Sequence, residues 1–263
     1  MKKPIALSLG LILFVGCSTV PITGRKQVKL VSDQQMVAQS AVSYKEVIEQ
    51  GPLSADATRT RQIKKVGAKI SAAVERYLKD TNQSHLIAGF EWEFNLIDED
   101  QPNAWCMPGG KVAFYTGILP YCVDETGIAV VMGHEIAHAV VGHGAERVSH
   151  QMLQQGGGIL ASWLGSKTDY HDAIMMTYGL GSQYAGVLPF SRLHESEADH
   201  LGLIFMAMAG YNPEAAVGFW QRMDAAGGQK PPEFLSTHPS DESRVRRLRA
   251  RMPEAMDIYA RRD

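Results

Sequence analysis

The run His134-Glu135-Ile136-Ala137-His138 places two imidazoles four residues apart, with a carboxylate between them. On a helix, residues at this spacing lie on one face, so both rings can reach the same metal ion. Neutral imidazole is a good zinc ligand, and zinc lowers the pKa of a bound water to about 7. A carboxylate beside the metal can then take the proton of that water. The motif therefore predicts zinc bound by His134 and His138, with Glu135 as the catalytic base.

Such a site needs a third protein ligand, and Glu195 is the best candidate. Glu195 and Asp199 are four residues apart and share one face of a predicted helix. We expect Glu195 to bind the metal and Asp199 to accept a hydrogen bond from the outer nitrogen of a ligating imidazole. Glu197 points away from that face, so we expect it to be dispensable for the metal. The alternative is a solvated acidic face at a helix start, which the helix dipole would favour.

His143 follows the motif closely, but it does not fit the longer zinc motif that contains a third histidine. That motif would need glycine at position 141 and histidine at position 144, where this chain has Val141 and Gly144. We therefore predict that His143 is a surface residue at the end of the helix.

The elements that carry these residues are predicted from hydrophobic periodicity and capping residues. Asp124 is a plausible N-cap for a motif helix that begins near Glu125. Hydrophobic residues recur at helical spacing over 32–50 and 54–78, and a further helix is predicted over 191–209, with Gly210 as its C-cap. Alternating residues predict strands over 90–97 and 111–118, joined by a turn over 103–110. We expect a mainly helical α+β fold, with the two strands forming a small antiparallel sheet beside the motif helix.

The bulk composition is that of a folded globular protein. The chain has 263 residues, of which 45% are hydrophobic and 21% are charged, and this length suits one large domain. The formal net charge is -2, so no basic excess points to nucleic acid. We therefore predict no nucleic-acid partner.

Four stretches of the chain resemble a known family: residues 103–117, 134–138, 189–199 and 236–239. They resemble peptidase family M48, the gluzincin metallopeptidases that include the HtpX and Oma types, and within it the bacterial lipoprotein members. The resemblance implies a zincin-like fold, one zinc ion per chain and Glu195 as the third ligand. It also implies endopeptidase activity on unfolded or extended polypeptides, and we expect such a substrate to pair with the sheet edge at 111–118.

The resemblance further implies a cellular role. We expect an enzyme at the periplasmic face of the outer membrane that degrades misfolded or misassembled envelope proteins, with the outer-membrane assembly machinery as a candidate partner. The alternative is a non-catalytic, mainly chaperone-like assembly factor that uses the same groove. The presence of Glu135 argues against this alternative, because a binding module needs no catalytic base.

The beginning of the chain resembles a bacterial lipoprotein signal. A positively charged start and a short apolar run end at Gly16-Cys17, so we expect cleavage before Cys17 and lipidation of its thiol. Ser18 resembles an outer-membrane address. The alternative is an ordinary signal peptide that is cut nearby. The predicted organisation is a signal peptide over 1–16, a lipidated and extended arm over 17–31, and a zinc metallopeptidase domain over 32–263.

Besides Cys17, the chain contains two cysteines, Cys106 and Cys122. An exported chain lies in an oxidising compartment, where an even pair of cysteines usually forms a bridge. We therefore predict a disulfide between them. One alternative is two buried free thiols; a zinc role is a third option, but the spacing of the two cysteines is unlike that of a compact metal knuckle.

The family resemblance also predicts a role for His238. In related members the equivalent histidine can bind the zinc as a fourth ligand and hold the enzyme closed. Two alternatives remain open: His238 donates a hydrogen bond to the tetrahedral intermediate, or it is a turn residue that packs near the site. Arg244 follows on the last predicted helix. Either it reaches the site or, as we prefer, it belongs to a basic solvated face with Arg247 and Arg251.

Overall fold

The structure is a computed structural model that describes residues 17–20, 23–165, 188–226, 234, 238 and 242–261. The predicted signal peptide over 1–16 lies outside the described residues. The helices are α1 (Asp33–Gln50), α2 (Ala57–Asp80), α3 (Leu119–Cys122), α4 (Glu125–Val140), α5 (His143–Gly165), α6 (Leu188–Met208), α7 (Ala215–Ala226) and α8 (Glu242–Ala260). The strands are β1 (Cys17–Thr19), β2 (Lys26–Val28), β3 (Glu93–Ile97), β4 (Ala104–Met107) and β5 (Lys111–Tyr115). The predicted α+β fold class, mainly helical with small sheets, is confirmed.

Helix α4 carries the histidine motif through the centre of the molecule. It begins as predicted, because the Asp124 side chain accepts hydrogen bonds from two backbone N–H groups of its first turn. Helix α6 packs closely against α4: a Cβ atom built on Gly133 would lie 2.9 Å from the carbonyl oxygen of Gly202. Glycine at both positions therefore allows the two backbones to approach. This contact brings the motif helix and the helix that carries Glu195 together.

The three-stranded sheet differs from the prediction. Its order is β3-β5-β4; β3 and β5 run parallel, and β4 is antiparallel to β5. The expected antiparallel pairing of 90–97 with 111–118 is wrong, because residues 103–110 are more than a turn. They contain β4, which folds back onto β5 through a tight turn where Gly109 and Gly110 adopt positive φ values of 95° and 80°. As a result β4, rather than β5, is the edge strand on that side.

The segment before α1 packs against the helical domain. Strands β1 and β2 form an antiparallel hairpin in which Cys17 is opposite Val28, and Val20 is fully buried. The backbone N–H of Leu30 donates to the hydroxyl of Ser149 in α5 at 2.8 Å. The arm predicted over 17–31 is therefore a docked hairpin rather than an extended segment. The limits proposed for the domains remain a prediction.

The buried apolar side chains of α2, α4, α6, α7 and the sheet form one continuous cluster around α4. This burial explains why the motif helix is apolar on nearly all sides. Within the described part of the chain, no helix has both the length and the apolar character needed to cross a membrane.

Candidate metal centre

The structure brings four of the predicted site residues together. His134 and His138 on α4, Glu195 on α6, and His238 each direct one nitrogen or oxygen atom to a common point, and these atoms lie within 4.8 Å of one another. All four residues are buried. The spacing of four residues on α4 aligns the two histidines, and the packing of α6 against α4 brings Glu195 to them, as the sequence predicted for these three residues.

The distances between these atoms are close to those between two ligands of one metal ion. The Nε2 atoms of His134 and His138 are 3.1 Å apart, and Glu195 oxygens lie 3.3 and 3.4 Å from them. His238 Nδ1 is 3.2 Å from His134 Nε2 and 3.1 Å from the nearer Glu195 oxygen. Zinc bonds of about 2.0–2.2 Å imply distances of roughly 3.3–3.6 Å between ligand atoms. Three imidazole nitrogens and one carboxylate at these distances fit a single zinc ion.

Glu135 lies beside this cluster, and its Oε1 atom is 3.3 Å from His238 Nε2. Among the described residues, this buried oxygen has no hydrogen-bond partner. Burial raises the pKa of the Glu135 carboxyl, and the positive charge of neighbouring histidines opposes that shift. A carboxylate with a raised pKa at this position is suited to accept a proton from a water at the metal.

Asp199 holds the outer nitrogen of His134, as predicted, since its Oδ1 atom is 3.0 Å from His134 Nδ1. Burial alone would lower the pKa of His134, but the hydrogen bonds to Asp199 and Glu195 outweigh it and raise that pKa to about 9. The strongly negative surroundings that cause this shift also attract a divalent cation.

Arg244 is fully buried, so its predicted place on a solvated face is wrong. Its guanidinium donates to both oxygens of Asp199 at 2.7 and 2.8 Å, and it lies 3.3 Å from Glu195. It also stacks 3.3 Å above the ring of Trp220. Two buried carboxylates require a compensating cation. The two predicted carboxylates could therefore have indicated a buried arginine or lysine beside the site, although the sequence does not show which residue it is.

His143 is also fully buried, which contradicts its predicted surface position. Helix α4 ends near Val141, and Gly142, with a positive φ of 74°, turns the chain so that α5 begins with His143 beside the motif. Its Nδ1 atom is 2.8 Å from His138 Nδ1, and its Nε2 atom is 2.9 Å from Glu197. Burial lowers the pKa of His143 to about 3, so the ring is neutral. Glu197 is therefore part of the buried site rather than a solvated residue.

Both cysteines of the predicted disulfide are free in the structure, so that prediction is wrong. Cys106 on β4 pairs with Val112 near the start of β5, whereas Cys122 ends α3, beyond the far end of β5. The strand continues for about 10 Å past Val112, and α3 packs against α4 and α7. A bridge needs Cα atoms within about 7 Å. Both cysteines are therefore free thiols, and burial raises the pKa of each.

A groove leads to the metal centre along the edge of the sheet. A cavity of about 230 Å³ is lined by residues of β4, including Trp105 and Cys106, and by Glu135, His138 and His238. Among the described strands β4 is an edge strand, and its residues line the same cavity as the catalytic side chains. The sequence placed the substrate at β5, but β5 is the central strand.

Comparison with known proteins agrees with this geometry. The model of Peptidase family M48 matches residues 64–252, which include the motif and Glu195. The chain is 36% identical over 251 residues to the mitochondrial metalloendopeptidase OMA1 of Schizosaccharomyces pombe, an alignment that covers 94% of this chain and 69% of that protein. It is 31% identical to the protein of the same name from Saccharomyces cerevisiae, over 96% of this chain and 76% of that protein.

A third relative is the β-barrel assembly-enhancing protease of Escherichia coli, which is 30% identical over 166 residues, 61% of this chain and 34% of that protein. The family match covers well over half of the chain, and the yeast relatives align along nearly all of it. The chain is therefore a zinc metallopeptidase that belongs to peptidase family M48, and its resemblance to the Oma type is confirmed.

Proposed function

We propose that this zinc metallopeptidase is an endopeptidase that cleaves extended segments of misfolded or misassembled envelope proteins. The observation that carries the proposal is the position of Glu135, a buried carboxylate beside the four converging metal-binding atoms, in a cavity that is also lined by the edge strand β4. The decisive experiment is digestion of an unfolded protein, casein, by the wild type and by Glu135→Gln.

The side chains of the site divide the work of peptide hydrolysis. His134, His138 and Glu195 would hold the zinc ion, which would supply Lewis-acid polarisation of the scissile carbonyl and a lowered pKa of water. Glu135 takes the proton of the attacking water and passes it to the leaving amine. Asp199 fixes the ring orientation of His134, since it holds the outer nitrogen at 3.0 Å.

The edge of β4 supplies a place for the substrate backbone. Among the described residues no strand pairs with the outer edge of β4, so an extended peptide can pair with its N–H and C=O groups, which adds a strand to the sheet and places a peptide bond beside Glu135. A folded substrate offers no such free strand. This mode of binding supports a preference for unfolded polypeptide.

An apolar cavity of about 390 Å³ adjoins the groove, and the two share Pro108 and Ala139 as a common wall. Met36, Val37 and Phe90 also line it. We propose that it accepts an apolar side chain of the substrate. Misfolded proteins expose such side chains, whereas folded proteins bury them.

We also propose that the enzyme is anchored through Cys17 to the outer membrane and works at its periplasmic face. The charged start, the apolar run and the Gly16-Cys17 pair support the anchor. The name of the Escherichia coli relative, a β-barrel assembly-enhancing protease, supports a partner in outer-membrane assembly.

Replacing Cys17 by alanine is expected to abolish lipid labelling and to release the protein from membranes, because the substitution removes the thiol that is proposed to carry the lipid. Incorporation of labelled palmitate and membrane fractionation in a bacterial host measure both effects. Cys106→Ala is the matched control and should keep the label and the membrane association. A Cys17→Ala protein that is still labelled would contradict the anchor.

We propose that His238 restrains the enzyme as a fourth metal ligand. Its Nδ1 atom is as close to His134 and Glu195 as those residues are to each other. Its ring packs against Phe234 at 4.7 Å between ring centroids, which helps to hold it in this place. A catalytic zinc site keeps one position open for water, and an imidazole there would exclude that water.

His238→Ala is therefore expected to raise casein turnover severalfold with zinc retained. Initial rates at saturating casein, together with zinc content, measure this effect. The control is His200→Ala, since His200 pairs with Glu254 away from the metal cluster. A large fall in turnover with zinc retained would reject the restraint and favour a hydrogen bond from His238 to the tetrahedral intermediate.

A further inference from the structure

The N-terminal hairpin contributes one arginine to the interior of the peptidase domain. Arg25 donates from Nε to Glu197 at 2.8 Å and makes a two-pronged contact with Glu146 at 2.7 and 2.8 Å. Thr23 donates to the other oxygen of Glu197. Both carboxylates are buried, so their positions depend on these donors from the hairpin.

Glu197 connects Arg25 to the metal centre through His143. For His138 to bind metal through Nε2, its Nδ1 atom must carry the proton, and this proton points at His143 Nδ1, 2.8 Å away. His143 Nδ1 must then accept, so its proton is on Nε2, which donates to Glu197 at 2.9 Å. One arrangement of protons therefore satisfies every contact from the ligand to Glu197.

Glu146, the other carboxylate bound by Arg25, helps to orient the His143 ring through His194. Glu146 accepts a hydrogen bond from His194 Nε2 at 3.0 Å. The rings of His194 and His143 are stacked with centroids 4.0 Å apart. Arg25 thus binds Glu197, which accepts the hydrogen bond from His143, and Glu146, which positions the His194 ring that stacks on His143.

We propose that Arg25 is a positioning residue for the metal centre, acting through Glu197 and His143 on the ligand His138. The inference rests on the proposed function, because it takes His138 as a zinc ligand. It makes a docked N-terminal hairpin a requirement for tight metal binding. The residues that support a ligating histidine typically change metal affinity by about 10- to 100-fold.

The test is the metal affinity of the full chain carrying Arg25→Gln. We expect its zinc dissociation constant, measured by chelator competition, to rise about 10-fold. The visible absorption bands of the cobalt-substituted protein should also shift, because they report ligand geometry. Arg25→Lys should recover part of the affinity, since it keeps the charge but lacks the fork that reaches two carboxylates. Lys26→Gln is the control: it removes a charge from the same hairpin, where Lys26 bonds the Thr19 hydroxyl.

A double-mutant cycle shows whether Arg25 acts through His143. In a His143→Ala background, Arg25→Gln should change zinc affinity by less than about 2-fold, because the connection is already cut. Equal affinity and spectra for Arg25→Gln and Lys26→Gln would overturn the inference, as would full additivity in the cycle. A wild type that binds zinc but does not digest casein would instead reject the proposed function, and the affinity comparison would still decide the role of Arg25.

Discussion

Replacing Glu135 by glutamine is expected to lower casein turnover by at least ~10²-fold while one zinc ion stays bound. The amide has nearly the same shape as the carboxylate, but it cannot take a proton from water at neutral pH. Glu135 is adjacent to the metal cluster without being one of its four converging residues, so the substitution should leave the ligands in place. Turnover and zinc content of the same preparation measure the two effects.

The control for this experiment is Glu125→Gln, which makes the same chemical change on the same helix. Glu125 lies in the first turn of α4 and pairs with Lys65, away from the cluster. Its turnover should equal that of the wild type. Near-normal turnover of a zinc-loaded Glu135→Gln protein would show that another group acts as the base, and it would reject the mechanism proposed here.

The features that the sequence predicted correctly depend on local spacing. Two residues four positions apart on a helix share a face whatever the rest of the fold does. This geometry is sufficient to pair His134 with His138 and Glu195 with Asp199. The N-cap at Asp124 is equally local, because the side chain bonds its own helix. The mainly helical fold class follows from the same periodicity.

The features that were wrong depend on contacts between distant segments. Arg244 reads as one of several arginines on a basic helix, and only packing against Trp220 and Asp199 distinguishes it from the others. His143 follows the end of a helix. The sequence shows the glycine turn before it, but it does not show that this turn directs His143 into the interior. The pairing of β3 with β5 is parallel because β4 intervenes, and four residues with weak alternation did not reveal that strand.

Replacing Glu195 by alanine is expected to reduce the zinc content of the purified protein from one ion per chain to nearly none. Glu195 supplies the only carboxylate among the four converging residues, and it is buried against both motif histidines. Its loss leaves three imidazoles and the guanidinium of Arg244, which lies 3.3 Å from the Glu195 oxygen in the wild type. A cation placed there would have no carboxylate ligand to offset its charge, and the Arg244 guanidinium, held by Asp199, would repel it at short range.

The loss of zinc should also be visible in stability. A ligand present at a thousand times its dissociation constant stabilises the folded state by about 4 kcal/mol, so a chelator should lower the melting temperature of the wild type. The Glu195→Ala protein should melt at the same temperature with or without the chelator.

Glu197→Ala is the informative comparison, two residues away in the same helix. Because Glu197 supports His143 rather than the metal, this variant should still fill with zinc at high zinc concentration, although more weakly. If Glu197→Ala were metal-free and Glu195→Ala kept its zinc, the ligand assignment would be wrong.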